Sequence, residues 1–272
     1  MVLLTALFLL GFSYLFLLRG RHGHRLLPVL RSCFYAHRGL YGGAVPENSL
    51  AAFRAAFDRG YGAELDIHLL KDGNLAVMHD SDPFRMTEIH GCLEDLTAED
   101  LGRFHLNGTE ETIPLLFQVL SLCDGRVPLI LELKSHCGNS HQLAEAVCRL
   151  LDGYQGPFFL ESFDPRCLLW LKKHHPEFPR GQLSQNFFKA ENGRTCSLLQ
   201  FLGSYYLENF LTRPDFIAYR FRDRRTVSNF LIRKVWKIPG VSWTVENPRE
   251  LDQALKEGWI PIFEGFLPEH TL

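Results

Sequence analysis

The sequence lacks the marks of several common protein classes. Its 272 residues carry 29 Lys and Arg against 31 Asp and Glu, so the basic excess of nucleic-acid binders is missing and we expect no nucleic-acid partner. None of the seven cysteines forms a CxxC pair, which argues against zinc-ribbon and thioredoxin motifs. Such an odd, scattered set favours buried free thiols in a reducing compartment over a disulfide framework.

One long apolar run stands at the N-terminus. Residues 2–18, VLLTALFLLGFSYLFLL, carry no charge, and the basic segment RGRHGHR follows. Seventeen residues at about 1.5 Å each form a helix near the short end for a bilayer core of about 30 Å. A secretory signal peptide would instead place its positive charges before the apolar run. The pattern predicts a membrane anchor and basic flank, residues 1–25, with residues 26–272 on the cytoplasmic side.

From residue 34 onward, apolar β-rich runs alternate with helical patterns. The nine predicted strands cover residues 34–38, 63–70, 75–79, 127–134, 157–162, 180–184, 215–220, 240–245 and 260–264. One of them belongs to a hairpin, and the other eight form repeated strand–helix units with parallel strands. Eight such units in about 250 residues are the size of a TIM (β/α)₈ barrel. A doubly wound open sheet is the alternative, but no GxGxxG follows the first strand.

The sequence also predicts where two helices begin or end and where an insertion lies. Asn48 is expected to cap the helix in NSLAAFRAAFDRG. Asn247 is expected to cap the last predicted helix and Gly258 to end it. Residues 81–113 are expected to form a small insertion after the hairpin, with a helix near TAEDLGRF.

Charged side chains end the first predicted strand and run along the second. His37 and Arg38 end the first strand, and Glu64 and Asp66 share one face of the second because side chains alternate along a strand. A surface loop could carry an imidazole beside a guanidinium by chance. A site at the C-terminal ends of barrel strands would need them there.

The hairpin brings a second histidine to these carboxylates. Asp72-Gly73 between two β-rich runs predicts a two-residue turn. With that turn, Asp66 faces His79, and directly opposed residues lie about 5 Å apart at Cβ. His68 lies on the same face, further along the hairpin, where it could contact substrate, although we expect it to be solvated.

A further pair, Glu132 and Lys134, shares one face of the run VPLILELK. Burying Glu132 together with Glu64 and Asp66 is costly, because desolvation and like charges both disfavour ionised carboxylates. A divalent cation resolves this, and three carboxylates suit Mg²⁺ or Ca²⁺. Arg38 and Lys134 beside a cation predict an anionic ligand such as phosphate, and the two nearby histidines could serve as general base and general acid.

These motifs resemble the glycerophosphodiester phosphodiesterase family over almost all of residues 34–248. The resemblance rests on AHRG, PENS, GYGAELDIHLLKDG, MHD, LELK, ESFDP, GQLS and SWTVENP, in this order. It implies a TIM barrel with its site at the strand C-termini and a divalent cation. It also implies hydrolysis of a small-molecule glycerophosphodiester to glycerol 3-phosphate and an alcohol.

The resemblance assigns roles to eight positions: the acid–base pair His37 and His79, the phosphate clamp Arg38, the metal ligands Glu64, Asp66 and Glu132, the helper cation Lys134, and Trp243 near the glycerol. Which histidine is the acid stays open. One position departs from the pattern, because Glu264 stands where the family usually has an Asp shortly followed by Pro. If that position touches substrate, specificity would differ.

Two other functions stay open from the sequence. A phospholipase D-like or phosphatidylinositol-type phosphodiesterase could use the same barrel on intact lipid, and the predicted anchor would place it near lipid headgroups. A catalytically inactive, membrane-tethered barrel is the third possibility. The presence of both histidines and all three carboxylates argues against it.

Overall fold

The computed structural model describes residues 2–190 and 197–269, in which nine strands form a single sheet. The strands are β1 Tyr35–His37, β2 Gly62–Leu69, β3 Leu75–Val77, β4 Leu129–Leu133, β5 Phe158–Ser162, β6 Arg180–Ser184, β7 Phe216–Arg220, β8 Gly240–Val245 and β9 Ile260–Phe263. Each overlaps one predicted run. All except β3 are parallel neighbours in chain order, and β9 pairs back with β1. The sheet is therefore a closed eight-stranded TIM barrel, and the open-sheet alternative is wrong.

Helices connect the strands, as the alternating pattern predicted. They are α1 Val2–Leu17, α2 Leu27–Leu30, α3 Leu50–Phe57, α4 Phe84–Thr87, α5 Leu116–Cys123, α6 Ser140–Leu151, α7 Pro165–His174, α8 Phe187–Ala190, α9 Leu198–Ser204, α10 Asn209–Thr212, α11 Val227–Phe230 and α12 Pro248–Glu257. The 3₁₀ turns are Leu93–Asp95, Ala98–Arg103, Leu106–Gly108 and Phe221–Asp223, and a π-helical turn covers Leu231–Val235. Parallel strands require such crossover connections.

Helix caps differ from prediction at one of the two helices. Asn247 caps α12 as expected, and Gly258 ends that helix in the left-handed conformation with φ +77°. At α3 the cap is Ser49 rather than Asn48. The Asn48 amide instead donates to Asp66 Oδ2 at 2.9 Å, so this residue supports a buried carboxylate and not a helix end.

The insertion after the hairpin packs around a small core of its own. Residues 81–113 contain α4 and three 3₁₀ turns, and the helix predicted near residues 97–104 is the 3₁₀ turn Ala98–Arg103. Its buried apolar residues and those of the hairpin form one cluster: Leu70, Ala76, Met78, Met86, Leu93, Leu101, Phe104, Leu106 and Ile113. The insertion is thereby fixed beside the C-terminal end of β2.

The membrane anchor predicted at the N-terminus is wrong. The first helix covers the 16 residues Val2–Leu17, and none of the helices in residues 2–190 and 197–269 is long and apolar enough to span a bilayer. The C-terminal end of this helix contacts the barrel domain, since Leu18 is fully buried in the main core and the Trp236 indole N–H donates to the Leu15 carbonyl at 2.9 Å. The predicted membrane-anchored localisation of residues 26–272 depended on this helix and is wrong as well.

The basic segment after this helix is bound to the barrel domain. Arg21 forms a bidentate ion pair with Asp215, with Nε–Oδ1 at 2.6 Å and Nη2–Oδ2 at 2.7 Å. Asp215 is fully buried and directly precedes β7. Leu30 of α2 is buried in one apolar cluster with residues of the barrel strands, among them Tyr35 and Phe216. The domain boundary at residue 26 stays a prediction, although the segment before it already contacts the domain.

We expect Arg21→Ala to lower the free energy of unfolding by about 3 kcal/mol, because it leaves a buried carboxylate without its cation. Urea unfolding followed by circular dichroism measures this change. Arg25→Ala, at an exposed arginine of the same segment, is the matched control and should have almost no effect. A loss in Arg21→Ala no larger than in this control would contradict the assigned contact.

The described cysteines agree with the prediction of free thiols. All six are free, and four of them are buried: Cys33, Cys123, Cys148 and Cys167. Cys196 lies outside the described residues.

Candidate active site

The strand C-termini line a cavity of about 270 Å³. Seven of the eight residues predicted for the site line it: His37, Arg38, Glu64, His79, Glu132, Lys134 and Trp243. The eighth, Asp66, is buried and contacts Lys134 Nζ at 3.0 Å and Arg38 Nε at 3.3 Å. The fold therefore brings the predicted set together, while the role of each residue stays a prediction.

Register and alternation together place the three predicted ligands. Asp66 of β2 lies opposite Glu132 of β4 in the parallel ladder, and Glu64 shares the face of Asp66. Their carboxylate oxygens lie within 4.8 Å of one another. All three side chains are buried, with residue exposures of 3%, 1% and 6% for Glu64, Asp66 and Glu132. Oxygen donors at this spacing could hold one hard cation.

The charges of this cluster are only partly balanced. Burial, with Asp66 and Glu132 adding to it, raises the pKa of Glu64 well above its ordinary value. Burial also raises the pKa of Glu132, against the opposing effect of Lys134. At Asp66 the cations Lys134 and Arg38 outweigh burial and lower the pKa. The cluster is therefore a place where added positive charge would be stabilising.

A fourth buried carboxylate, Glu161, was missed from the sequence. It lies on β5 opposite Glu132, is 1% exposed and lines the cavity. Burial first, and then Glu132, raises its pKa well above the ordinary value. With all four carboxylates ionised, the cations Arg38 and Lys134 would leave two negative charges unbalanced, which is the charge that one divalent ion offsets. The sequence did contain a signal for Glu161, because it follows the apolar residues of β5 directly, as Glu132 follows those of β4.

The hairpin differs by one residue from the predicted register. Its turn holds three residues, 71–73, and the Met78 N–H donates to the Asp66 carbonyl at 3.0 Å, so Asp66 does not oppose His79. His79 nevertheless lines the cavity. The reason is that β3 ends at Val77, so strand alternation no longer dictates where the later side chains point.

His79 is oriented by its neighbour in the chain. Its Nδ1 lies 2.7 Å from Asp80 Oδ1. An ionised carboxylate only accepts, so Nδ1 carries the proton and Nε2 is left with a lone pair. Burial, followed by the nearby Lys134, lowers the pKa of His79. This environment favours a neutral imidazole that can accept a proton.

His37 is held by the residue that departs from the family pattern. Its Nδ1 lies 2.6 Å from Glu264 Oε2, and its Nε2 lies 3.8 Å from Glu64 Oε2. The hydrogen bond from His37 outweighs burial and lowers the pKa of Glu264 to about 2. Glu264 thus contacts the histidine, and His37 sits between two carboxylates.

Arg38 belongs to a network that reaches into the insertion. Its Nη1 donates to Glu47 Oε1 at 2.8 Å, and Arg85 of α4 donates to the same oxygen at 2.6 Å. Arg85 also donates from Nε to Asp80 Oδ2 at 2.6 Å. One arginine of the insertion therefore connects the partner of Arg38 with the partner of His79. Sequence reasoning assigned no role to Glu47, although it lies in PENS, and it did not single out Arg85.

Two aromatic side chains, Trp243 and His68, remain to be compared with their predicted surroundings. Trp243 packs edge-on against Phe163 with ring centroids 5.7 Å apart, and its buried indole N–H has no hydrogen-bond partner among the described residues. His68 is not solvated. It is 3% exposed and its Nδ1 lies 2.7 Å from Glu94 Oε1 of the insertion. The insertion, which the β2 pattern alone could not place, covers it.

Comparisons with known proteins agree on one family. A profile of the glycerophosphoryl diester phosphodiesterase family matches residues 37–265. A glycerophosphodiester phosphodiesterase of Bacillus altitudinis is 38% identical over 130 residues, which are 44% of this chain and 53% of that protein. One from Caldanaerobacter subterraneus is 32% identical over 168 residues, covering 57% of this chain and 68% of its own length.

A solved structure matches the fold over nearly the whole barrel. It is an Oleispira antarctica phosphodiesterase in complex with the product sn-glycerol-3-phosphate, with a TM-score of 0.69 and 23% identity over 85% of this chain and 91% of that one. The family profile extends from the end of β1 to just beyond β9. This protein therefore belongs to the glycerophosphoryl diester phosphodiesterase family.

Proposed function

We propose that this protein hydrolyses glycerophosphodiesters to glycerol 3-phosphate and an alcohol. The observation that carries the proposal is the convergence of three buried carboxylates, two cations and two histidines on one cavity at the strand C-termini, with the buried Asp66 in contact with both cations. Family membership supports this reaction class. The matched Oleispira phosphodiesterase was solved with sn-glycerol-3-phosphate, which makes that compound the product to look for first.

A divalent cation, Mg²⁺ or Ca²⁺, would be held by Glu64, Asp66 and Glu132. Their clustered oxygens and the two negative charges in excess fit such an ion. When bound, the ion would polarise the phosphoryl group and offset the negative charge that develops in the transition state.

Arg38 and Lys134 would bind the non-bridging phosphate oxygens. The guanidinium of Arg38 is fixed by Glu47 at 2.8 Å and lies at the cavity wall. A planar fork of donors suits two phosphate oxygens, while the Lys134 ammonium acts as a point charge. Both cations are held in place before substrate arrives, so little reorganisation is needed in the reaction.

The two histidines would divide the proton transfers. The neutral His79, with its Nε2 lone pair, would take the proton from the attacking oxygen. That oxygen belongs either to water or to the glycerol hydroxyl of the substrate itself; the second route would expel the alcohol and give a cyclic phosphate, which a water molecule would then open to glycerol 3-phosphate. His37, oriented through Nδ1 by Glu264 at 2.6 Å, would donate a proton to the leaving alkoxide. Trp243 would provide an apolar wall for the glycerol.

The direct test is product identification with the full chain. We expect glycerophosphocholine to yield glycerol 3-phosphate and choline in the presence of Mg²⁺ or Ca²⁺. A parallel assay on intact phosphatidylcholine tests the lipid alternative. Glycerol and phosphocholine as products, or turnover of the lipid alone, would overturn the proposed reaction.

Glu264→Gln is expected to lower kcat by about 100-fold, because a neutral amide orients the His37 ring through its Nδ1 hydrogen bond less firmly than a carboxylate does. Glu264→Asp restores the residue type usual in the family and should retain more activity. Steady-state kinetics on glycerophosphocholine measure both variants. Equal rates in Glu264→Gln and the wild type would exclude Glu264 as a positioning residue for His37.

A further inference from the structure

A second group of potential metal ligands lies outside the carboxylate cluster. Cys92 and Glu94 come from the insertion, and His136 comes from the loop after β4. One donor atom from each residue lies within 4.8 Å of the others. His136 stands more than 40 positions from the other two in sequence, so the tertiary fold alone brings the three together.

The donor spacing fits a tetrahedral ion. Cys92 Sγ lies 3.1 Å from Glu94 Oε2 and 3.9 Å from His136 Nε2. In a tetrahedral zinc site, Zn–S distances of about 2.3 Å and Zn–N or Zn–O distances of about 2.1 Å place neighbouring donor atoms about 3.6 Å apart. The two observed separations lie on either side of this value. Small rotations of these partly buried side chains would bring all three donors to one ion.

The surrounding hydrogen bonds support Glu94 as a ligand. His68 Nδ1 lies 2.7 Å from Glu94 Oε1, and the Ser81 hydroxyl donates to Oε2 at 2.6 Å. Carboxylate ligands of metals are themselves held by outer hydrogen bonds of this kind. His68 is 3% exposed and has no part in the proposed hydrolysis, so this contact gives a role to an otherwise unexplained buried histidine.

We propose that Cys92, Glu94 and His136 form a second metal site, selective for Zn²⁺ or a similar borderline cation. Thiolate and imidazole donors favour such ions, whereas the three carboxylates of the first cluster favour Mg²⁺ or Ca²⁺. Binding would release the thiol proton of Cys92, and three protein ligands leave one tetrahedral position for water. The ion would fasten the insertion to the loop after β4. The site is close to the cavity, because His68 Nε2 lies 3.3 Å from the His79 carbonyl.

Cobalt titration of the reduced full chain tests this site. Mg²⁺ is kept in large excess to supply the carboxylate cluster, and Co²⁺ is the spectroscopic probe. We expect one equivalent of Co²⁺ to give a near-ultraviolet thiolate-to-cobalt absorption, which Zn²⁺ then removes by displacement. Cys92→Ser should abolish the band, and His136→Gln should weaken Co²⁺ binding at least 10-fold.

Cys137→Ser is the matched control, because this exposed thiol neighbours His136 and should be dispensable. Thermal melting gives a second readout. Zn²⁺ should raise the Tm of the wild type and of Cys137→Ser, and leave that of Cys92→Ser and Glu94→Gln unchanged. An absent band in the wild type, or a band lost in Cys137→Ser and kept in Cys92→Ser, would overturn the proposal. These measurements report binding alone, so they are independent of the proposed hydrolysis.

Discussion

His79→Ala is expected to lower kcat/KM for glycerophosphocholine by about 10²- to 10⁴-fold, the usual contribution of a general base. The imidazole lines the cavity, and Asp80 holds its Nδ1 proton so that Nε2 can accept. His105→Ala, at an exposed histidine of the insertion, is the control and should leave the rate unchanged. Wild-type kinetics in His79→Ala would remove this residue from the mechanism.

The pH profile of the wild type distinguishes a base from an acid at this position. Burial lowers the pKa of His79 from its ordinary value of 6.5, so the neutral form persists below that pH. If His79 is the base, kcat/KM falls only as the pH drops below about 6.5 and the imidazole becomes protonated. If it were the acid, activity would instead fall as the pH rises through the same pKa. Loss of the acid-side decrease in the residual activity of His79→Ala would confirm the assignment.

Glu64→Gln is expected to lower the rate by about 10³-fold, because Lewis-acid stabilisation of a phosphoryl transition state is worth several kcal/mol. EDTA should have the same effect on the wild type, and Mg²⁺ or Ca²⁺ should restore only the wild type. Glu145→Gln, at an exposed carboxylate on α6, serves as the control. Full activity in EDTA would contradict the metal site.

Although Glu64→Gln is expected to lower the rate, we expect it to raise the thermal stability of the metal-free protein. The pKa of Glu64 is raised in the folded protein above its ordinary value of 4.5. Its contribution to stability is therefore complete below pH 4.5 and is lost as the pH rises through the raised pKa. In EDTA at pH 7, Glu64→Gln should thus have a higher Tm than the wild type, while Mg²⁺ should raise the Tm of the wild type alone. A lower Tm of the variant in EDTA would show that repulsion among these carboxylates does not govern the stability of the cluster.

Much of the barrel could be predicted from local patterns. Apolar runs of five to eight residues separated by helical periodicity placed all nine strands, because strand burial in a parallel barrel leaves a nearly continuous apolar signal. Alternation then put Glu64 beside Asp66, and Glu132 beside Lys134. These inferences hold because they depend only on neighbours along the chain.

Local sequence patterns could not predict which distant segments of the chain contact each other. The register between β4 and β5 brings Glu161 to Glu132, and no local rule predicts which strands align at which residue. The same holds for the bond from His37 to Glu264, 227 positions apart, and for the approach of Cys92 to His136. Each requires the barrel to close or the insertion to fold back.

The N-terminal segment also combines a property that the sequence alone shows with one that only the tertiary structure shows. Composition alone identified an uncharged apolar run, and that much is a property of the sequence. Only the tertiary structure shows that burial of Leu18 and the ion pair from Arg21 to Asp215 bind the chain after this run to the barrel domain. Local patterns of residues were thus enough to predict the strands, their faces and most of the charged residues that line the cavity. Which charges meet was settled by the folded barrel, since that depends on packing and register between segments far apart in the chain.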